Sequence, residues 1–261
     1  MLLAIDSGNT NTVFAIYDSG GNSLGEWRSS SKPDTTADEY GVWLLQLLSH
    51  SDIDRSLVKS AIVATVVPTA LYPLKELCRK YFDVDPQVVG VSNLYLGVDI
   101  LLDQPQEVGS DRIVNAISAH HKYGGPLIVL DFGTATTFDV VDKNGNYAGG
   151  IITPGVNLSQ EALHLAAAKL PRVAIVRPNQ VIGKSTIDAM QSGIYWGYLS
   201  MLEGVIKRIE DEFGSSMKVI ATGGLASLFA DATNLIECAD SELTLRGLYI
   251  IHKLNTPTSD V

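Results

Sequence analysis

Two stretches 125 positions apart carry one pattern, and this repeat constrains the fold more than any other feature of the chain. Leu2 to Thr12 reads LLAIDSGNTNT, and Leu127 to Thr137 reads LIVLDFGTATT. Setting Asp6 on Asp131 puts Gly8 on Gly133 and Thr12 on Thr137. Each copy is an apolar run ending in an acidic residue, then a small polar turn, then a second strand-like run. The second runs are Val13 to Tyr17 before Gly20-Gly21-Asn22, and Phe138 to Val141 before Asn144-Gly145-Asn146. Short apolar runs bounded by Gly and Asn read as strands joined by tight turns. A chain of 261 residues has room for two domains. The repeat therefore predicts two α/β domains with mixed sheets flanked by helices, whose acidic turns face one ligand in a cleft between them.

Bulk properties narrow the function classes. A hydrophobic content of 46% against 18% charged residues is enough to bury a core. The formal net charge of −10 argues against a nucleic-acid binder, which needs a basic surface to displace counterions. It leaves small anionic substrates open, because backbone donors and a few cations can hold a phosphate. Met1 to Ile5 is apolar but meets Asp6 at once and has no basic leader, so it reads as a first strand and not a signal peptide. No apolar run approaches the roughly 18 residues that span a membrane. The two cysteines, Cys78 and Cys238, sit on apolar segments and are expected as buried free thiols of a cytoplasmic protein.

The periodicity predicts strands over residues 2–6, 13–17 and 25–29, and a helix over 37–48 capped by Thr35 or Thr36, with Val42, Leu44, Leu45 and Leu48 on its apolar face. A buried strand is expected over 58–67, a helix over 69–81, a strand over 87–91 and a helix over 107–122. Residues 123–126, Tyr-Gly-Gly-Pro, mark a boundary by turn chemistry. The domains are thus expected at 1–122 and 123–255, with the last helix free to pack back on the first domain and a frayed tail over 256–261. In the second half, a strand over 147–152 breaks within Gly149 to Gly155 into a helix running to about Lys169. A loop over 170–185, a long helix or two over 186–213, a strand over 217–221 and a last helix over 243–254 follow. Gly193, Gly197 and Gly204 are expected to let helices approach closely.

The turns carry the chemistry. Gly8 leaves room for close approach of a ligand, and the residues around it supply donors for a phosphate. Asp6, at a strand end, is able to hold Mg²⁺ directly or through water. Asp131 to Thr137 repeats that arrangement. An ordinary hairpin would also use Gly, Asn and Asp, but two unrelated hairpins have no reason to share matched offsets. Thr222-Gly223-Gly224 is a third turn, suited to the nucleoside side of a nucleotide or to a plain strand-to-helix connection. Gly109-Ser110-Asp111-Arg112 opens a helix. It reads either as a proton acceptor beside an anion holder or as an N-terminal Asp favoured by the helix dipole beside a surface Arg. The paired His120 and His121, and His50, His164 and His252, lack metal-ligand spacing. Trp43, Trp196 and Tyr198 read as core.

Taken together, DSGNTNTV at 6–13, EVGSDR at 107–112, DFGTATT at 131–137, GGIITPG at 149–155, GKST at 183–186 and TGG at 222–224 resemble the type III pantothenate kinase family, in the actin-like ATPase superfamily that includes sugar kinases. The likeness covers roughly residues 2–254. It implies two ribonuclease-H-like domains and ATP-dependent phosphorylation of pantothenate to 4′-phosphopantothenate, the first step of coenzyme A synthesis. By the same resemblance Asp6, Ser7, Gly8, Asn9, Thr10, Asn11, Thr12 and Val13 line the ATP phosphates and Mg²⁺, and Thr134 contacts ATP. Asp111 is the general base; Gly109, Ser110, Asp111, Arg112 and Thr186 hold pantothenate. Asp131 binds a monovalent cation, K⁺ or NH₄⁺. Homodimers are expected, with the interface near GGIITPG and the long helix. One position departs: where the family often has Tyr before an Asp-Asn-Pro, this chain has Leu102 before Asp103-Gln104-Pro105. The competing readings are a sugar or acetate kinase of the same superfamily and a non-catalytic nucleotide-binding regulator.

Overall fold

The computed structural model describes residues 1–167 and 170–256. The chain divides into two compact units. Met1–Asp99, Asp103–Ser118 and the chain from Glu242 onward form the first; Ile100–Leu102 and Ala119–Ser241 form the second.

The first unit is built on β1 (Leu2–Ser7), β2 (Asn11–Tyr17), β3 (Ser23–Ser30), β4 (Ser60–Thr65) and β5 (Gln87–Val88), in the sheet order β3-β2-β1-β4-β5. β2 runs antiparallel to β1 and β3, while β4 and β5 run parallel to β1. One face is covered by α1 (Ala37–His50) and α2 (Pro68–Phe82), which bury Tyr40, Leu44, Leu48, Leu74, Leu77 and Phe82 against Leu3, Ile5, Phe14 and Ile16. Thr36 caps α1: its hydroxyl accepts from Glu39 N, and the Glu39 carboxylate accepts from Thr36 N. Val42 is 56% exposed, so the buried stripe of α1 is Tyr40, Gly41, Leu44 and Leu48. α7 (Leu243–Leu254) packs on β1 and β4. Gly247 is required there, because a Cβ on it would run into the carbonyl oxygen of Val114. Val114 belongs to α3 (Ser110–Tyr123).

The second unit repeats this plan. β6 (Leu127–Phe132), β7 (Ala135–Val141), β8 (Tyr147–Pro154), β9 (Lys218–Gly223) and β10 (Cys238–Ala239) take the order β10-β9-β6-β7-β8 with the same directions. The duplication read from two turns thus extends to all five strands of each sheet. This is the expected ribonuclease-H-like arrangement, twice over. α4 (Val156–Ala166), α5 (Thr186–Phe213) and α6 (Ala226–Ala230) complete the unit. Phe132 stacks on Phe229, ring centres 5.2 Å apart, and Tyr195 stacks on Phe229 at 5.6 Å. The end of α3 is pinned here: buried Asp240 accepts from Lys122 Nζ at 2.9 Å and from Tyr123 OH at 2.6 Å.

Several boundaries differ from the pattern-based expectation, each for a local reason. β4 ends at Thr65 because its hydroxyl accepts from Val67 N at 3.0 Å and turns the chain. β5 stops at Val88, where Gly90 takes a positive φ and Val91 N and Ser92 N bond back to Val88 O. The helix expected from 107 starts at Ser110, after a short 3₁₀ turn over Pro105–Glu107. The GGIITPG segment does not break β8. A bulge opposite Val140 and Val141 takes up Ala148, with the adjoining Gly149 at a φ of +131° still paired to Val140, and the strand runs on to Pro154. The segment over 186–213 is one helix, capped by Ser185 and ended by Gly214 in the left-handed region. Gly193 and Gly197 do not seat a neighbouring helix: nothing would meet a Cβ at either, because α5 buries Tyr195, Leu199, Leu202 and Ile206 on its other face. Cys78 is buried, but Cys238 is only half-buried, and both are free thiols. Ala168, Lys169 and the tail from Pro257 lie outside the described residues, so the expected helix end near Lys169 and most of the expected tail fall there.

Gly247→Ala tests the α7 contact. Alanine favours a helix over glycine by about 1 kcal/mol, but the added methyl must displace a backbone carbonyl, an overpacking cost of about 1–3 kcal/mol. Urea unfolding should show a net loss of stability; an unchanged or raised midpoint would show that α7 can shift without cost.

Candidate active site

In the first unit, the turn after β1 is held from beneath by hydroxyls. Ser7 is 1% and Thr12 0% exposed. Their oxygens lie 3.0 Å apart, and Thr12 Oγ1 also meets Ser31 Oγ at 3.0 Å and Tyr40 OH at 3.3 Å. Ser31 Oγ donates to Gly8 O at 2.7 Å, and Gly8 N donates to Asn11 O at 2.9 Å. Val13 is buried as well. Of the eight residues expected to line a phosphate, Ser7, Thr12 and Val13 therefore shape the loop, while Asn9 and Thr10 are exposed and Asp6, Gly8 and Asn11 are half-exposed. A Cβ on Gly8 would meet nothing closer than Asn11 O at 3.6 Å, so no protein group demands glycine there.

The same unit brings the start of α3 to this loop. Ser110 Oγ donates to Thr65 O at 3.1 Å, and Thr65 Oγ1 donates to Ser7 O at 3.0 Å. Thr65 is the β4 residue paired with Ser7 of β1. Next along the helix, Asp111 folds back over Gly109: a Cβ on that glycine would lie 2.6 Å from Asp111 Oδ1. Arg112 N donates to the same oxygen at 2.8 Å. Burial raises the Asp111 pKa above its ordinary value, against the opposing pull of the Arg112 amide and guanidinium. A carboxylate made more basic than usual, beside a guanidinium, is suited to accept a proton from an alcohol.

In the second unit, Asp131 pairs with Thr137 of β7 and Thr222 of β9. Gly223 has a φ of +90°, and a Cβ there would lie 2.7 Å from both Asp131 Oδ1 and Phe132 N, so the TGG turn closes directly on the Asp131 carboxylate. Gly155 packs on the other side of the loop; its N donates to Thr134 O at 3.0 Å, and a Cβ on it would strike the Thr134 and Gly133 carbonyls. Thr134 is exposed. Three motifs distant in sequence, DFGTATT, GGIITPG and TGG, thus meet at one end of the second sheet. Beneath them Asp139, wholly buried, accepts from Thr137 Oγ1 at 2.9 Å and Tyr147 OH at 2.7 Å. Thr186 is exposed on the first turn of α5 and lines an apolar cavity of about 900 Å³ with Thr153, Pro154, Gly193, Gly197 and Met201. Leu102 lies beside Gly149, and its neighbour Leu101 donates its N–H to Tyr147 O at 2.8 Å.

Ser31, Tyr40, Thr65, Asp139 and Tyr147 were not visible as site residues in the sequence, because each acts through a partner that only strand pairing or helix-on-sheet packing supplies. Among the described residues, no group of three or more His, Cys, Asp or Glu side chains gathers to hold a metal. Asp6 and Asp131 each stand as a single carboxylate at a polar turn. That donor set fits a hard cation that keeps water or shares phosphate oxygens, and does not fit a closed protein cage.

The sequence model of the type III pantothenate kinase family matches residues 2–208. A type III pantothenate kinase of Paramagnetospirillum magneticum is 62% identical, over 98% of both chains. One of Rhodospirillum rubrum is 61% identical over 98% of this chain and 100% of its own. Among solved structures, component A of the (R)-2-hydroxyglutaryl-CoA dehydratase of Acidaminococcus fermentans superposes with a TM-score of 0.57 at 14% identity, covering 98% of this chain and 99% of its own; that likeness concerns the fold alone.

The Asp111 shift has a stability consequence. Its folded pKa is raised, so the folded state holds the proton more tightly than the unfolded chain. The carboxyl favours folding below its unfolded value of 3.8, and that contribution is lost as pH rises through the folded value. Asp111→Asn should therefore raise the thermal midpoint at neutral pH, and the gain should shrink below about pH 4. A lowered midpoint at pH 7 would contradict the burial cost.

Proposed function

The chain belongs to the type III pantothenate kinase family, and we propose that it transfers the γ-phosphoryl group of ATP to the hydroxyl of pantothenate, giving 4′-phosphopantothenate and ADP, the first step of coenzyme A synthesis. The observation that carries this reading is the hydrogen-bonded path from the first phosphate loop through Thr65 to the helix bearing Asp111, all within one unit. A phosphate loop and a buried carboxylate of raised basicity are what transfer to an alcohol requires.

In the proposed reaction the pantothenate oxygen forms a bond to the γ-phosphorus as the bond to the bridging β–γ oxygen breaks. Asp111 takes the hydroxyl proton, and ADP leaves. The transition state is loose, so positioning and charge neutralisation supply most of the rate. The backbone of Gly8 to Asn11 cradles the phosphates, with Asn9 and Thr10 contributing side-chain donors and Ser7, Thr12 and Val13 keeping the loop in shape. A Cβ at Gly8 would make only an ordinary contact, with Asn11 O at 3.6 Å, so glycine there leaves a side chain's room to a phosphate; at the second turn a Cβ on Gly133 would meet Ala135 O at 3.4 Å. Thr134 contacts ATP. Gly109, Ser110, Arg112 and Thr186 hold pantothenate, with the Arg112 fork on its carboxylate; the Ser110 hydroxyl is engaged with Thr65, so its part is to set the turn. Asp6 would hold Mg²⁺ and Asp131 a K⁺ or NH₄⁺ ion. Such cations supply charge neutralisation on the phosphate oxygens.

A homodimer is part of the proposal. The cavity between α4 and α5 is almost wholly apolar, and Ile152, Leu158, Leu163 and Leu165 around it are exposed, Leu165 by 73%. An apolar surface of this kind is better covered than left in water. A cytoplasmic location agrees with two free thiols, and no described helix is long and apolar enough to cross a membrane.

Adding pantothenate with ATP, Mg²⁺ and K⁺ or NH₄⁺ should release ADP; release with a sugar or acetate and none with pantothenate would overturn the substrate. Asp111→Asn should lower kcat by roughly two to four orders of magnitude with nucleotide binding retained, and normal turnover would remove Asp111 as the base. Leu163→Glu should shift the sedimentation coefficient to that of a monomer. A variant still dimeric would place the interface elsewhere.

A further inference from the structure

The two sheets share an order and a register, so each position in one has a counterpart in the other, and one pair differs in a telling way. Beside Phe132, β9 has Gly223; beside Ser7, β4 has Thr65. Glycine at 223 lets the backbone close on the Asp131 carboxylate. Thr65 instead keeps a side chain at the equivalent place and engages it fully. Its hydroxyl lies 3.0 Å from Ser7 O and 3.2 Å from Val67 O, accepts from Val67 N at 3.0 Å, and stands one residue before the Val66-Val67-Pro68 strap that enters α2. Its carbonyl receives Ser110 Oγ at 3.1 Å. One proton cannot serve both carbonyls at once, and the shorter contact is the one to the phosphate loop.

Thr65 thus bonds to both Ser7 and Ser110 in a short path, Thr12–Ser7–Thr65–Ser110–Asp111, and the Val66 amide adds a second donor to Ser7 O at 3.3 Å. Ser7 is tied through its own hydroxyl to Thr12 at the far side of the loop. Ser110 is the first residue of α3 and is almost fully buried, so its hydroxyl contact sets where the helix begins. Asp111 follows directly. The Val66 side chain comes within 3.5 Å of a Cβ placed on Gly109, so the strap also backs the turn that precedes the base.

We propose that Thr65 is a positioning residue for phosphoryl transfer, its hydroxyl and carbonyl holding the Asp111 turn in register with the first phosphate loop. The chemistry of this inference rests on the kinase reading above; the coupling itself does not. Where little covalent work is done by the protein, misplacement by about 1 Å can cost about 100-fold in rate. Thr65 need not touch substrate to matter in this way.

Thr65→Val and Thr65→Ser separate the hydroxyl from the methyl. In Thr65→Val, amide hydrogen exchange should lose protection together in residues 7–12 and 109–113, while exchange in the core of the second sheet stays as in the wild type. Its kcat for pantothenate phosphorylation should fall about 10- to 100-fold with the KM values little changed. Thr65→Ser should restore both. Unchanged exchange at 109–113, or an unchanged kcat, would overturn the proposal. So would a Thr65→Ser variant that behaves like Thr65→Val, or a loss of protection spread evenly over the first sheet with a lowered thermal midpoint, since either would make Thr65 a packing residue only. If the wild-type enzyme phosphorylates no pantothenate, the functional reading fails while the exchange measurements still decide the coupling.

Discussion

Parallel pairing of the first strand of each half with the fourth is the constraint on which the rest depends. β1 lies beside β4 and β6 beside β9, in register along their whole lengths. Parallel strands point their carboxyl ends the same way and need a crossover to join them. The first hairpin turn of each half opens at that same end. The polar turns following the first and fourth strands are thus delivered to one edge of the sheet. The strands behind them are buried on both faces and read as unbroken apolar runs, with Asp6 and Asp131 as the one charged residue of β1 and β6. Chemistry collects at the sheet ends because backbone pairing leaves it nowhere else to go.

Within this shared frame the two halves support their turns by different means. The first rests on neutral hydroxyls, with Ser7, Thr12, Ser31 and Tyr40 in one cluster. The second rests on the buried Asp139 carboxylate between Thr137 and Tyr147. Both satisfy buried polar groups internally, and in a low-dielectric interior such networks are stiff. The divergence matches the division of labour proposed above, in which the first loop would hold phosphates beside Asp111, while the second sets the Asp131 carboxylate against the TGG turn. The fold tolerates such change: it persists at 14% identity in a dehydratase component.

Much of this was legible in the sequence because its causes are local. Apolar runs ending in Asp-x-Gly mark strand and turn, the 3.6-residue period marks α1 and α2, and α7 is read to the residue, Leu243–Leu254. Errors fell where local signals compete. Val42 fits the helical period of α1 yet faces solvent, because the sheet accepts only the stripe headed by Tyr40. Gly193 and Gly197 look like helix-contact glycines, but α5 turns them toward an apolar cavity. Gly149 and Gly150 look like a strand breaker, yet both pair with β7, and the bulge beside them leaves only Ala148 without a partner position.

The sequence by itself determined the duplicated acidic turns, the α/β class, the family and the identity of the residues at the turns, since these follow from residue type and short-range spacing. Tertiary structure alone decided which of those residues face outward and what holds them. Ser31 and Tyr40 reach Thr12 across 19 and 28 residues, Thr65 reaches Ser7 across 58, and Ser110 reaches Thr65 across 45. No local rule encodes such pairs. They exist because the chain settles into one tertiary packing: the β1–β4 register sets Thr65 beside Ser7, and a slip of one residue there would turn Thr65 to the other face of the sheet.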